Sequence, residues 1–261
     1  TGIGKTVGTL FPMLKALAPQ KLDKVFFLTA KTPGRKLALD AAQVILQSTG
    51  APPLRVLEMI ARDKACEHPD KACHGESCPL ARGFYDRLPA ARQAASQLSL
   101  LNQAALREVA LAHEICPYYL SQEMARWADV VVADYNYYFD FSALLFGLAQ
   151  ANNWTVAVLV DEAHNLVERG RQMYSASLDQ STLNGVRKTA PEALKKSLQR
   201  VNREWNALHN QQSGVYQAYD KAPEKLLQAL FSCSASIGDY LNDHPQGLDS
   251  TLQNFYFEML Q

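Results

Sequence analysis

At 261 residues, 48% of them apolar, the chain is long enough to bury a substantial core in one large domain or two modest ones. Its 26 Lys and Arg balance 26 Asp and Glu, so no general basic field draws in polyanions, and any such contact has to come from local groups. No apolar run approaches the ~20 residues that span a bilayer, and no charged-then-apolar leader opens the chain, so a cytoplasmic location without a membrane partner is the expectation.

In chain order, the loop Thr1-Gly-Ile-Gly-Lys-Thr6 leads into a helix over residues 7–17. Residues 24–29 (KVFFLT) read as a buried strand, 37–46 as a helix ended near Gly50, and 54–60 (LRVLEMI) as another strand. Such alternation predicts a parallel sheet with helices on its faces. From 61 to about 89 the pattern breaks into Cys, His, Pro and Gly, with too few periodic apolar positions for a core of its own, so something other than packing must hold it. Helical patterns follow over 90–113 and 118–127. Two apolar strands come next, 129–133 (DVVVA) and 156–160 (VAVLV), of the kind a parallel sheet buries on both faces. Beyond about Met173 the composition turns to helices rich in Gln, Asn, Lys and Leu, such as 192–209 and 223–241. The chain opens without an initiator Met, inside a motif, and is expected to be a piece of a longer protein.

The opening loop matches the latter part of a phosphate-binding (Walker A) loop, in which glycines let backbone N–H groups curl round phosphates and the next helix presents its positive end. Thr1, Gly2, Ile3, Gly4, Lys5 and Thr6 are the candidate nucleotide contacts. Lys5 would neutralise the β- and γ-phosphates, and the Thr6 hydroxyl would reach magnesium. An ordinary Gly-rich turn is the bland alternative, and the second motif decides against it. Asp161-Glu-Ala-His164 follows directly on the strand 156–160, at the carboxyl end where open α/β sheets bind ligands. There Asp161 can hold magnesium and Glu162 can orient and deprotonate water, whereas helix capping by the two acids explains neither their order nor their place behind a phosphate loop.

Four of the five cysteines lie at Cys66, Cys73, Cys78 and Cys116, spaced by six, four and 37 residues. In a reducing compartment that pattern reads as ligation before disulfides. Four thiolates suit an iron–sulfur cluster or an all-cysteine zinc site equally on count; the lack of a two-residue knuckle favours the cluster without compelling it. His68, His74 and His113 are near enough to substitute, though loop histidines are more often solvated. Cys233 stands apart and reads as a small buried side chain.

The order of these motifs is specific. The phosphate loop, then Phe27-Leu-Thr-Ala-Lys-Thr32, a cysteine group ending in Cys116-Pro-Tyr-Tyr, the run Ala128-Asp-Val-Val-Val-Ala-Asp-Tyr-Asn-Tyr-Tyr-Phe-Asp140 and the Asp-Glu-Ala-His box together resemble the XPD/DinG family of superfamily 2 DNA helicases, nearer its XPD branch. The resemblance covers residues 1 to about 170. It implies an α/β fold with a P-loop (RecA-like) parallel sheet flanked by helices, an inserted cysteine-rich iron–sulfur domain and a C-terminal helical, Arch-like region. The implied division is 1–60 and 126–172 for motor domain 1, 61–125 for the cluster domain and 173–261 for the start of the Arch.

The same resemblance implies that Cys66, Cys73, Cys78 and Cys116 bind a four-iron four-sulfur (4Fe-4S) cluster. Lys5, Asp161, Glu162 and His164 would be the catalytic set, with His164 coupling the ATP site to a second motor domain. Lys31 and Thr32 would touch the DNA backbone, although an exposed strand-end turn is the bland reading. ATP and Mg2+ are the implied cofactors, and single-stranded DNA or ss/dsDNA junctions the implied partners, in a bacterial cytosol or nucleoid. The implied activity is ATP-dependent unwinding, generally 5′ to 3′, with a second motor domain supplied beyond Gln261. Tyr135, Tyr137 and Tyr138 could stack on bases or simply pack in the core. The rival readings are a P-loop ATPase with a zinc or redox-sensing four-cysteine site that does not act on DNA, and a metal-binding module with no enzyme activity.

Overall fold

A computed structural model describes residues 4–50, 53–140, 143–245 and 247–261. Its contacts divide the chain into two units, Thr1–Met173 and Tyr174–Gln261.

The first unit is built on five parallel strands in the order β3-β2-β4-β1-β5, with β1 at Lys24–Thr29, β2 at Val56–Glu58, β3 at Leu100–Leu101, β4 at Val130–Asp134 and β5 at Val156–Val160. β1 pairs with β4 in the register Val25↔Val130 and with β5 in the register Lys24↔Val156. Alternate residues of β1 and β4 bury on opposite faces: Val25, Phe27, Val130 and Val132 on one, Phe26, Leu28, Val131 and Ala133 on the other. The first face is covered by α1 (Lys5–Ala16) and α2 (Thr32–Leu46), where Leu10, Leu14, Ala38, Ala42 and Ile45 recur at helical spacing. α2 begins five residues before the expected Leu37, because Pro33 fits the first turn, where its missing N–H costs nothing.

Across the second face lie α4 (Phe84–Ser96), α5 (Gln103–Ala112), α6 (Pro117–Met124) and α8 (Leu144–Ala151). Two expectations need correction here. The single helix over 90–113 is broken: Leu100–Leu101 pair with Val56–Leu57, and Asn102 starts α5 by accepting the Ala105 N–H at 2.9 Å. A side-chain acceptor at a helix start competes with continuation of the previous helix, and here it wins. The strand 156–160 is half-buried throughout, because β5 is the sheet's edge and not an interior strand; β4 does bury its first four residues.

Between α3 (Arg62–Ala65) and the start of α4, and indeed from 61 to 90, no residue is buried. The helices that follow pack on the sheet and have no separate core.

The second unit contains α10 (Gln180–Thr189), α11 (Glu192–Gln211), α12 (Glu224–Asp243) and α13 (Ser250–Met259) round a core of Leu183, Val186, Leu194, Leu198, Val201, Ile237, Leu252 and Phe255. Cys233 is fully buried within it, its thiol 3.7 Å from the Ser197 hydroxyl. Among the described residues no helix is long and apolar enough to cross a membrane.

Candidate nucleotide site, cysteine group and polar groove

The parallel register brings the ends of β1 and β5 beside the start of α1. A cavity of about 340 Å³ is lined there by Lys5, Thr6, Thr9, Phe27, Leu159, Val160, Asp161 and Glu162. Two segments more than 150 residues apart in sequence thus meet at one sheet edge, as their motif types require. Gly4 adopts φ +60 ahead of α1, a left-handed conformation that suits glycine, and its carbonyl accepts the Gly8 N–H. Thr1, Gly2 and Ile3 lie outside the described residues.

Asp161 continues the sheet ladder, donating its N–H to the Leu28 carbonyl at 2.8 Å. Its carboxylate lies 3.5 Å from the Thr29 hydroxyl. Both groups press against Gly34 of α2; a Cβ there would stand 2.9 Å from the Asp161 carboxylate oxygen and closer still to the Thr29 hydroxyl. The next residue, Glu162, takes φ +50, a region non-glycine residues rarely occupy.

That turn is held by three donors. The Tyr135 hydroxyl donates to the Asp161 carbonyl and, at 3.2 Å, to the Glu162 carbonyl. The Glu162 carbonyl also accepts from the Asn165 backbone and side-chain amides at 2.9 and 3.1 Å. Tyr135 is fully buried, and burial, with Asp161 and Glu162 nearby, pushes its hydroxyl pKa up, so it stays a donor. The Glu162 side chain remains exposed and lies 3.3 Å from Nδ1 of His164.

Lys31 and Thr32 stand beside the cavity and do not line it. Lys31 precedes α2 in extended conformation with no side-chain cap, and Thr32 accepts a hydrogen bond from Arg35 at 3.3 Å.

Cys66 ends α3 and Cys116 precedes α6, while Cys73 and Cys78 lie in the loop between α3 and α4. Burial raises the Cys116 thiol pKa most; the N–H groups of Tyr119 and Tyr118 oppose this, and Cys66 and Cys78 push it up further. Cys73 is exposed, lies 3.9 Å from the Arg62 guanidinium and acts electrostatically on Tyr119, as Cys116 does. The four thiols are thus within electrostatic reach of a common region. Among the described residues, however, no three His, Cys, Asp or Glu groups converge closely enough to hold one metal ion.

A second concavity, about 600 Å³, opens along the ends of β2 and β4, lined by Arg35, Arg62, Lys64, Tyr118, Tyr137 and Arg169 among others. Arg35 is almost wholly buried, 3.5 Å from Glu58, and its Nε has no hydrogen bond. Arg169, from α9 (Asn165–Met173), bonds Asp134 at 2.6 Å and Asn136 at 2.8 Å, tying the helix after the acidic box to the loop after β4. Of the three tyrosines in that loop, Tyr135 braces the acidic turn and Tyr138 packs on Phe26 at 5.7 Å, leaving Tyr137 to line the concavity.

Residues 54–183, about half of the chain, match the DEAD_2 family model. Over 159 residues the chain is 29% identical to the regulator of telomere elongation helicase 1 homolog of Anopheles gambiae, covering 56% of this chain and 16% of that protein. Over 81 residues it is 32% identical to the general transcription and DNA repair factor IIH helicase subunit XPD of Dictyostelium discoideum, covering 30% of this chain and 10% of that protein. This chain belongs to the XPD-like helicase family. A solved structure of truncated XPD shares its fold, with a TM-score of 0.53 at 18% identity, across all of this chain and 73% of that one.

Like that structure, this XPD-like chain carries a helix-flanked parallel sheet. It spans 16% and 10% of the two curated relatives. The matched stretch contains all four cysteines, the loop after β4 and the acidic box, while Lys5 and Thr6 precede it. Sequence reasoning missed Gly34, Arg35, Tyr135's bracing role and Arg169. Gly34 carried a legible signal, a glycine two residues inside a helix start, where close approach is one of its few uses. The role of Arg169 had none, because its partners are 35 and 33 residues away.

Proposed function

We propose that the chain supplies the first motor domain of an ATP-driven DNA helicase that moves 5′ to 3′ on single-stranded DNA and opens duplexes at ss/dsDNA junctions. The observation that carries this reading is the single cavity shared by Lys5, Thr6, Asp161 and Glu162. Its volume lies within the range of small-ligand sites.

The phosphates of ATP would lie at the amino end of α1, where free N–H groups and Lys5 offset their charge. The Thr6 hydroxyl and the Asp161 carboxylate line the same cavity and would hold magnesium, which when bound supplies charge neutralisation to the β- and γ-phosphates. Glu162 takes the proton of a water whose oxygen attacks the γ-phosphorus, and the bond to the β-phosphate oxygen breaks to leave ADP and phosphate. His164, within reach of Glu162, carries the state of the site toward a second motor domain. Lys31 and Thr32, beside the cavity on the same sheet edge, are assigned to the DNA backbone, and the concavity with Arg35, Arg62, Lys64 and Arg169 extends that path. Such contacts read phosphates and not sequence.

The four cysteines are proposed to hold a 4Fe-4S cluster. One observation supports the fit: the segment 61–90 has no buried residue to order it, so bonds to a bound group would have to hold it. When bound, the cluster supplies covalent cross-links that fix the loop. The helical unit, Tyr174–Gln261, is assigned to the Arch-like region, and 61–125, although it shares a compact unit and a core with the sheet, to the cluster domain.

The test is a strand-displacement assay on the whole protein, with the ATPase followed in parallel, comparing wild type and Lys5→Ala. Unwinding from a 5′ overhang that Lys5→Ala abolishes is the expected result. An ATPase indifferent to single-stranded DNA, with zinc in place of iron on metal analysis, would sink the helicase reading in favour of a metal-sensing ATPase.

A further inference from the structure

The helical unit has a concentration of positive charge that the motor reading does not use. Residues 174–261 hold eight Lys or Arg against nine Asp or Glu, so the unit as a whole is not basic. Four of the eight, Arg187, Lys196, Arg200 and Arg203, nevertheless line one groove of about 910 Å³, and no carboxylate lines it with them. Lys196, Arg200 and Arg203 follow one another at four and three residues along one face of α11. Ser232 and Ser236 of α12 line the facing side, and Asn202 and Asn206 run beside the cations. Among the described residues Lys196 and Arg200 make no ion pair or side-chain hydrogen bond. Arg187 bonds only the neutral Asn184 at 3.1 Å, and Arg203 alone is paired, to Glu204 at 2.8 Å.

We infer that this groove binds one phosphodiester backbone of a nucleic-acid duplex. Charges left unpaired on an exposed helix face, interleaved with amides and hydroxyls, are the groups that contact phosphate oxygens. The helix presents a cation every ~5 Å, against one phosphate per ~3.4 Å of duplex axis along each strand, so two or three phosphates fall within reach together. The lining has no aromatic side chain and, apart from alanine, no apolar one. Unpaired bases therefore find nothing to stack on, whereas bases still stacked in a duplex need no such platform. A protein partner would in turn lack the aromatic or aliphatic pocket from which interface energy mostly comes. The groove lies entirely within the helical unit and does not depend on the nucleotide cavity.

The test uses the whole chain and a fluorescent 20-base-pair duplex, read by anisotropy over a range of salt. The double variant Lys196→Glu/Arg200→Glu is compared with Lys221→Glu/Lys225→Glu, an equal charge change at exposed positions outside the groove, and with the neutral Lys196→Gln/Arg200→Gln. All are checked by thermal melting. The groove reversal should weaken duplex binding tenfold or more and lower the logarithmic salt slope by about 2, with the neutral pair in between and the control pair close to wild type. Equal losses in both reversed pairs would overturn the inference, as would tighter binding of a single strand of the same length. Displacement of the duplex by polyglutamate at matched charge concentration would overturn it in favour of an acidic protein partner. Duplex anisotropy is read without ATP and strand displacement with it, so failure of the helicase reading and failure of the groove register in separate measurements.

Discussion

Asp161 and Glu162 hang from a sheet whose central strands are packed on both faces, whereas Cys66, Cys73 and Cys78 sit in a stretch, 61–90, in which nothing is buried. The difference is one of cause. At the sheet edge, burial of Phe26, Leu28, Val131 and their neighbours fixes the backbone first, and the polar groups inherit their positions. In the cysteine segment there is too little buried apolar area to outweigh the ordering entropy, so under the proposed function bonds from the cysteines to a cluster would do what packing does elsewhere. Substitution at the first site should therefore change chemistry without structure, and at the second, structure before chemistry.

The largest expected effect is at the sheet edge. Glu162→Gln removes the proton acceptor and keeps the shape, so ATP turnover by the whole protein should fall about a thousandfold while its melting temperature stays within a degree or two of wild type. A parallel loss of stability would mean that the acidic turn is not scaffolded independently. The converse experiment is Cys78→Ser. Iron should be lost, and amides between residues 66 and 83 should exchange about a hundredfold faster, with those of β1 and β4 unchanged. Intact protection of the loop without iron would break the comparison at its root.

This division also explains what could be read from the chain. The strands at 24–29 and 129–133 were legible because central parallel strands need continuous apolar runs, and 156–160 because it carries such a run at the edge too, with the acidic residues directly after it. Sheet order was not, so β5 was given a buried position when it lies at the edge. The break between α4 and α5 escaped because the helical apolar period runs on through Leu98 and Leu101; only Asn102, a capping residue, marked it. Tyr135 was legible as an aromatic beside a strand and nothing more. Its partner atoms are backbone carbonyls 26 and 27 residues away, which no side-chain pattern encodes.

The sheet's rigidity carries a cost that pH can expose. Lys24, at the start of β1, is 5% exposed; its ammonium donates to the Ala128 and Arg126 carbonyls at 2.6 and 3.0 Å and lies 4.3 Å from the Trp154 ring centroid. Burial nevertheless lowers its pKa to about 8 from 10.5, with Asp129 opposing. Between those values the unfolded chain holds a proton that the folded chain has lost, so this group's contribution to stability rises with pH across that window and is flat below it. Urea titrations at pH 7.5 and 10.5 should differ by roughly 2 kcal/mol more in wild type than in Lys24→Met, solvent screening having reduced the full linkage. A difference of opposite sign would mean that the carbonyls and the indole hold the charged form more strongly than burial opposes it.

The smallest effect tests how the sheet reaches the chemistry. Tyr135→Phe keeps the buried ring and deletes the one hydroxyl that donates to both Asp161 and Glu162 carbonyls. Loss of a buried hydrogen bond costs about 1–2 kcal/mol, and part of that falls on a turn held at positive φ. If the hydroxyl positions Glu162, kcat for ATP should drop about tenfold while KM, set by Lys5 and the α1 terminus, moves less than twofold. If Tyr135 only fills the core, stability should fall with kcat and KM both near wild type. The split between the two constants therefore asks whether the core stops at the sheet or extends, through one phenol, into the site.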